Sequence, residues 1–561
     1  MNSSGKTHLW GSLLRIMYAK SRIYHSYYIV TMSFIRTIKS NGRKYQQLVE
    51  SRWDPVKKQS RIHVIQHLGK VIEEDGKEKL MPAQLKIDSV DHACPVGELA
   101  LFWKIADEFG IEDCISNAIG ENENNTAKAI LLLVLNQLIG RKSLTQIGKW
   151  VSETPIPRWT DIEVEKLTKD YFLSALDKIS NENGTLNSSF SFSIQNNITC
   201  KWRKLIGNEP EKFFFYQDIT RIRWNGDQTC WAEKGYGAQT GRPHIGFGLV
   251  ISKYNHMPVM GYPVRGSHPD STTIKETIDN LSRWNMENIT LVWDRGFVSK
   301  RNINYTRKAK FHVLSAGSRS SKEVVDWTIK YSDHEIEQRT NILHLSKRNT
   351  VYFKEEIGNL YGQKCKIVVM LNPQKRNHSR TERDLILQKL ESETSKQKIA
   401  ILKKNLKPIV KLARGRRGYK IDETEEYTAR RLDGRSLFFS TDTELSGDEI
   451  IRTYFQKDHI EKAFRFLKGN ACLSPVRYQL PGRVEVYLSV INFIAYELIA
   501  AVLWKIEKYK LDTTYEKLIQ EASKIYEVEL TSKKTKIHRW THVTKEVEKT
   551  LKPFNITSLQ T

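Results

Sequence analysis

Tyr454, Lys457, Glu461 and Lys468 follow one another at steps of three, four and seven residues. At about 100° per residue on a helix, such steps return almost to the starting angle, so the four side chains share one stripe. A carboxylate flanked by two lysines and a tyrosine can hold a metal ion beside a phosphate. An ordinary solvated face with i,i+4 pairing accounts for the same residues. Two further acids favour the chemical reading. Asp218 follows the apolar run Phe213 to Tyr216, and Asp294 ends the apolar part of NITLVWDRG, Asn288 to Gly296. Each stands where a buried strand ends, so its carboxylate emerges from the core into a cleft. Three oxygen donors with no nearby Cys or His cluster suit Mg2+ or Mn2+ and not Zn2+. Two such ions roughly 4 Å apart activate an attacking oxygen and stabilise a leaving oxygen at a phosphodiester.

The stripe needs a helix to carry it. Ser446 and Glu449 have capping-box spacing, and neither proline nor glycine interrupts the chain from Glu449 to Gly469, which predicts one helix over Ser446 to Lys468. Ile460, Phe464 and Leu467 lie beside the stripe and face a core. The strands that carry the other two acids belong to one sheet, joined by a further strand at His244 to Ser252 and a helical pattern through Trp284. Asp270, just before that pattern, reads as its N-cap. Gly226 turns the chain. The passage GYGAQTGRP, residues 235–243, is a flexible loop without the glycine spacing or strand-to-helix context of a nucleotide site.

A chain of 561 residues has room for about three domains. Its net charge of +25 favours a polyanionic partner, nucleic acid ahead of a membrane surface. Residues 1–70 hold 13 Lys and Arg against Glu50 and Asp54, and residues 375–420 hold 15 against four acids. Each block is a candidate phosphate-contacting surface, although a lysine-rich proteome produces a similar excess. Six cysteines without a C-x-x-C pair argue against a zinc site or disulfide framework and for a reducing, intracellular compartment. Arg15, Lys20 and Arg22 break any signal-peptide run. The run Tyr487 to Trp504 is marginal in length for a membrane span and carries Asn492 and Glu497, so it reads as a buried core helix.

In order, residues 1–32 read as a basic extension with a mis-assigned start, translation beginning near Met32. Finding earlier residues by N-terminal mass spectrometry of native protein excludes this. Residues 33–90 read as a small basic β-meander, with turns at Asn41-Gly42 and Asp54-Pro55. Residues 91–205 are helical, with a helix-turn-helix outline over Ala127 to Ile139 and Ser143 to Trp150 that fits a DNA reader or any helical domain. Asn181 to Asn197 has the composition of a linker. Residues 206–300 and 446–510 are two parts of one α/β core, 301–445 separates them, and 511–561 forms a helical tail.

At this point the sequence resembles the DDE transposases of bacterial and archaeal insertion sequences, a ribonuclease H-like family. The similar branch carries a β-rich insertion between the second and third acids and a Tyr-x2-Arg-x3-Glu-x6-Lys signature. Here the signature reads Tyr454, Lys457, Glu461, Lys468 with every spacing kept, and the first two acids are Asp218 in FFFYQDITRIRW and Asp294 in VWDRGFVSKRNI. GYGAQTGRPHIGFGLV, PVRGSHPDSTTI, LVESRWDPVKKQSRIHVIQHLG and RLDGRSLFFSTDTELSGDEIIRTYFQKDHIEKAFRFLK also read like that branch. The likeness runs from Ser33 to Ile506. Lys457 stands where the branch has arginine, replacing a planar fork by a point charge, and the segment before Met32 has no counterpart.

The resemblance implies a fold class: α/β, a ribonuclease H-like mixed-sheet catalytic domain interrupted by the β-rich insertion, after a β-meander and a helical N-terminal domain. The segments TNILHL, NTVYFKE, KCKIVVML and Leu437-Phe438-Phe439 read as strands of the insertion. Glu382 to Leu406 reads as a long charged helix ended by Pro408, either beside DNA or simply solvated. It implies that Asp218, Asp294 and Glu461 are catalytic and bind two Mg2+ ions, Mn2+ substituting, and that Tyr454, Lys457 and Lys468 bind DNA phosphates. The implied partners are double-stranded DNA, as terminal inverted repeats and target, and a second copy on DNA, with no membrane. The implied location is a prokaryotic cytoplasm, nucleoid-associated. The implied reaction is strand cleavage followed by strand transfer. Two competing readings are a catalytically silent DNA-binding derivative and a nuclease that cuts without joining.

Overall fold

In the computed structural model, the described residues are 33–40, 42–54, 59–74, 77–82, 87–120, 125–160, 162–180, 190–207, 211–226, 229–235, 241–284, 286, 288–393, 396–412, 419–532 and 535–560. The proposed extension and start at Met32 lie outside them. So do Asn41 and Pro55 of the two turns and most of the 235–243 loop. The chain forms two units, residues 1–91 with 530–537, and residues 92–529 with 538–561.

In the first unit, β1 (Ser33–Ser40), β2 (Arg43–Asp54), β3 (Gln59–Glu74) and β4 (Lys77–Pro82) make an antiparallel meander in sequence order. Gly42, at φ 74°, supplies the left-handed residue that the tight β1–β2 turn requires.

The second unit is built on a mixed sheet of nine strands: β5 (Phe213–Arg223), β6 (His244–Ser252), β7 (Pro258–Arg265), β8 (Ile289–Trp293), β9 (His312–Ala316), β10 (Ile342–Ser346), β11 (Asn349–Leu360), β12 (Gln363–Leu371) and β13 (Arg435–Ser440). Their order is β10-β11-β12-β13-β9-β8-β5-β6-β7. β8 runs parallel to both β5 and β9, and the remaining neighbours are antiparallel. Of the described strands between the second and third acids, Val410–Leu412 and Tyr419–Ile421 pair apart as a small sheet, and the others belong to the core sheet. They lengthen the core sheet, because β13 adds to β9 through Leu314↔Ser440, Ser315↔Phe439 and Ala316↔Phe438.

Edge strand β7 explains one misread segment. The linker expected over Asn181 to Asn197 is helix from Ser191 onward, where α1 (Ser191–Ile206) buries Ile194, Ile198 and Trp202 at helical spacing. Its polar residues are turned inward to cover the strand edge. The Gln195 amide donates to Gly261 O and accepts from Gly261 N, Thr199 donates to Val259 O, and the Trp202 indole donates to Pro258 O. Composition signalled a linker because these side chains do backbone pairing.

The helix-turn-helix outline also changes. Asn125–Leu135 continues into a π-turn at Asn136–Gly140, and the second helix, Ile147–Ser152, has only six residues. Ile147, Gly148 and Val151 are buried, so it offers too short a face to lie along a major groove. The long charged helix expected over Glu382 to Leu406 is two helices, Pro373–Ser392 and Lys396–Asn405. The first starts earlier because Asn372 caps it and Pro373 suits its first turn. The tail expected to be helical contains two strands, Tyr526–Ser532 and Thr535–Trp540, beside its helices.

Much of the arginine excess in this insertion is spent internally. Arg376, Arg380 and the fully buried Arg435 donate to Asp333, and Arg383 grips Asp433. Asp333→Ala is expected to cost about 3 kcal/mol or more, because it strands a buried guanidinium. Denaturant unfolding checks this, and Asp333→Leu with Arg435→Met should recover part of the loss.

The apolar run read as a core helix is one. Pro481–Lys508, the described helix long and apolar enough to cross a membrane, lies almost wholly inside the protein. Glu497 on it is fully buried, and neither carboxyl oxygen has a partner among the described residues. Burial holds its pKa well above the ordinary 4.5. The unfolded chain ionises this group from that pH upward while the folded chain does not. Stability therefore falls as pH rises above about 4.5, by up to about 1.4 kcal/mol per unit, until the folded group itself titrates. Glu497→Met is expected to raise the unfolding midpoint at pH 8 and to raise it less at pH 4. A variant less stable than the parent at pH 8 contradicts this.

Candidate active site

β5 and β8 are parallel and level through Phe213↔Ile289 to Tyr216↔Val292. Asp218 and Asp294 each lie two residues beyond the last of these pairs. They therefore stand at the same level, just beyond the point where the two strands stop pairing. Asp218 does not end its strand, as expected from sequence. β5 continues five residues past it, paired only with β6. What ends there is β8, and its departure opens the cleft. Asp294 caps the short turn Arg295–Phe297 by accepting from Arg295 N at 2.8 Å.

The third acid arrives from above the sheet. The predicted single helix is two, α2 (Gly447–Phe455) and α3 (Asp458–Gly469), although the capping box of Ser446 and Glu449 forms as expected. At the join the bonds tighten to i→i−3: Lys457 N to Tyr454 O, His459 N to Gln456 O and Ile460 N to Lys457 O. Nothing in the local sequence demands a break. α2 is tied to β11 through Gly447 N and Glu355, while α3 lays Phe464 against Phe247 of β6. The twist between those strands prevents one straight helix from following both. Ile460, Phe464 and Leu467 are buried, as the stripe requires.

The join turns Lys457 inward. Its ammonium lies 3.6 Å from Asp294 Oδ2 and 3.9 Å from Glu461 Oε1, with its side chain 10% exposed against 51% and 61% for the two acids. Tyr454 donates to Asp294 Oδ1 at 3.4 Å. Burial, with the Asp294 charge adding to it, pushes the Tyr454 phenol up to about 12. Burial likewise pushes the Asp218 carboxyl up to about 6. Ile219 N–H and Lys457 oppose this, and the charges of Asp294 and Asp270 add to it. Lys468 is lowered by burial and partly restored by Asp218. Direct contacts thus join Tyr454, Lys457, Asp294 and Glu461, while Asp218 and Lys468 are linked to them through charge.

Asp270 acts on this group only through its charge. It is not an N-cap: Pro269 holds that position, Asp270 opens the turn Asp270–Thr272, and its carboxylate pairs with Arg221 at 2.6 Å. Burial raises its pKa, Arg221 opposes, and Asp294 adds to the rise. Arg221 crosses β6 opposite Gly246, where a Cβ would fall 2.4 Å from its Nη1. Strand alternation places Arg221 on the face opposite Asp218, so no signal in the sequence linked the pair to the site.

Among the described residues, no three His, Cys, Asp or Glu side chains form a ready-made ligand cage. The donor set nevertheless fits a hard divalent cation. It consists of carboxylates, one of them raised first by burial and further by the neighbouring like charges of Asp294 and Asp270, and a cation offsets both effects.

A family model described as the Transposase DDE domain matches residues 218–498, half of the chain, beginning at Asp218 and enclosing Asp294 and Glu461. The chain belongs to the DDE-domain transposases. It is by family a transposase, in a class of enzymes that cleave and transfer DNA. No curated protein matches it. Among solved structures it is similar to a piggyBac transposase in a synaptic complex with hairpin DNA. The TM-score is 0.33 and the identity 10%, over 76% of this chain and 79% of that one.

Proposed function

We propose that this transposase serves a prokaryotic insertion sequence, acting in the cytoplasm beside the nucleoid, binding the element's terminal inverted repeats and joining its ends to target DNA. The observation that carries this reading is Lys457 held within 4 Å of both Asp294 and Glu461, with the charges of Lys457 and Asp294 acting on Asp218, where β8 leaves the sheet.

Asp218, Asp294 and Glu461 would hold two Mg2+ ions, with Mn2+ substituting. When bound, such ions activate the attacking oxygen and stabilise the leaving one. The protein's remaining work is placement. Lys457, Lys468 and Tyr454 hold the phosphate at the cut end, and the buried Lys457 fixes its charge without reorganisation. Water breaks the bond between phosphorus and the 3′ oxygen, leaving a 3′ hydroxyl on the element. That hydroxyl then attacks a target phosphodiester, and one ester replaces another without ATP. Paired ends call for two copies on DNA. Beyond the arginines bound to Asp333 and Asp433, the exposed Lys404, Lys407 and Lys420 leave the insertion a basic surface for the duplex.

The test is incubation with DNA carrying the element's own ends and Mg2+, mapping the cuts to single nucleotides. Expected are 3′ hydroxyls at the element boundary and products joined to target. Cutting without joining supports a nuclease, and tight binding without cutting supports a silent derivative.

A further inference from the structure

A cavity of about 460 Å3 lies between the turn after the π-helix and the loop that leaves α3. Arg141, Lys142, Lys169 and Arg477 stand around it, and Leu144 and Tyr478 line it beside Pro475. No acid lines it, and among the described residues none of these four cations makes an ion pair. Glu98 lies within electrostatic reach of Arg141, and four cations against that one acid favour an anion.

Both walls are fixed in advance. The Gln137 amide donates to Ala471 O, to Cys472 O at 2.9 Å and to the Tyr487 hydroxyl at 2.9 Å. The Asn136 side chain donates to Lys142 O and accepts from Lys142 N. Arg141, at φ 52°, donates to Asn470 O. The cavity is thus held open by the protein's own bonds, which lowers the ordering cost of binding. Cationic rim and partly aromatic floor together match a nucleotide, whose phosphate is charged and whose base has a flat apolar face.

Its place along the chain matters equally. Gly469, at the end of α3, is eight residues beyond Glu461, about 12 Å at 1.5 Å per residue, and Cys472 follows in the cavity wall. That distance is about four steps of duplex.

We propose that this cavity seats one nucleotide of the DNA strand about four or more steps from the reacting phosphate. The backbone phosphate lies on Arg141, Lys142, Lys169 and Arg477, and the base or sugar lies against Leu144, Pro475 and Tyr478. The proposal rests on the DNA reading given above.

Cys472 is a natural reporter, and exposed Cys230 is its control. End DNA carrying a thiol tether at successive nucleotides is equilibrated with the full chain in a redox buffer. The expected disulfide forms to Cys472 at one or two adjacent nucleotides and is absent in Cys472→Ser. In the double variant Lys142→Gln with Arg477→Gln, both positions being exposed, cross-linking falls about fivefold or more. The slope of log K against log salt falls by about 2. Cross-linking confined to Cys230, or a double variant with unchanged affinity and slope, overturns the proposal while DNA binding stands. Wild-type protein that fails to bind the end DNA overturns both this proposal and the function it rests on.

Discussion

Asp294→Asn is expected to leave the protein folded and bound to DNA while lowering strand cleavage by about 1,000-fold or more. The substitution keeps what Asp294 does for the backbone. An amide oxygen can still accept from Arg295 N and from Tyr454, so the turn after β8 keeps its cap. It removes the charge that Asp294 adds to the cleft, where it adds to the rise of Asp218 and pairs with Lys457. The measurements are end cleavage by gel, end binding, thermal midpoint and Mn2+ titration. Unchanged folding and DNA binding with weakened Mn2+ binding and lost cleavage place Asp294 in the chemistry. Cleavage within tenfold of the parent removes it.

Lys457→Gln is expected to divide two properties that ordinary damage lowers together. The buried ammonium lies within 4 Å of carboxylates on Asp294 and Glu461, oxygens that a divalent ion would also use. Removing it frees those oxygens, so Mn2+ affinity should rise several-fold. The same change removes a desolvated cation from the phosphate at the cut end, and cleavage should fall by about 10- to 100-fold. Lys457→Arg, which restores the residue typical of the similar branch, should retain cleavage, because guanidinium grips phosphate with two bonds. Titration of manganese by its paramagnetic signal, beside cleavage rates, decides the matter. A Gln variant that binds Mn2+ more weakly contradicts the competition.

The sequence singled out the three acids because two of them follow apolar runs and the third stands at a set spacing from Tyr454, Lys457 and Lys468. Both are periodic signals that survive without an alignment. It could not place the helix break at Gln456 and Lys457. That break is imposed by two strands twisted relative to one another, and no local residue records it. The α1 segment was misread for a related reason. Gln195 and Thr199 look like linker residues until strand β7 is beside them. Asp270 had an adequate local explanation as a cap, and only its partner Arg221, 49 residues earlier, shows that its carboxylate is engaged elsewhere. The membrane-like run was read correctly because Asn492 and Glu497 interrupt it, and the structure buries both.

The single sheet that spans core and insertion has a mechanical consequence. β13 shares a ladder with β9, β9 with β8, and β8 with β5, so the insertion strands β10 to β13 and the strands leading to Asp218 and Asp294 are parts of one stiff plate. A hinged arm could swing to meet a straight duplex. A plate cannot, since pivoting would break backbone bonds in its middle. DNA that touches both ends of it must take up the mismatch in its own curvature, and base steps that bend at low cost would be favoured at those positions without contact to any side chain.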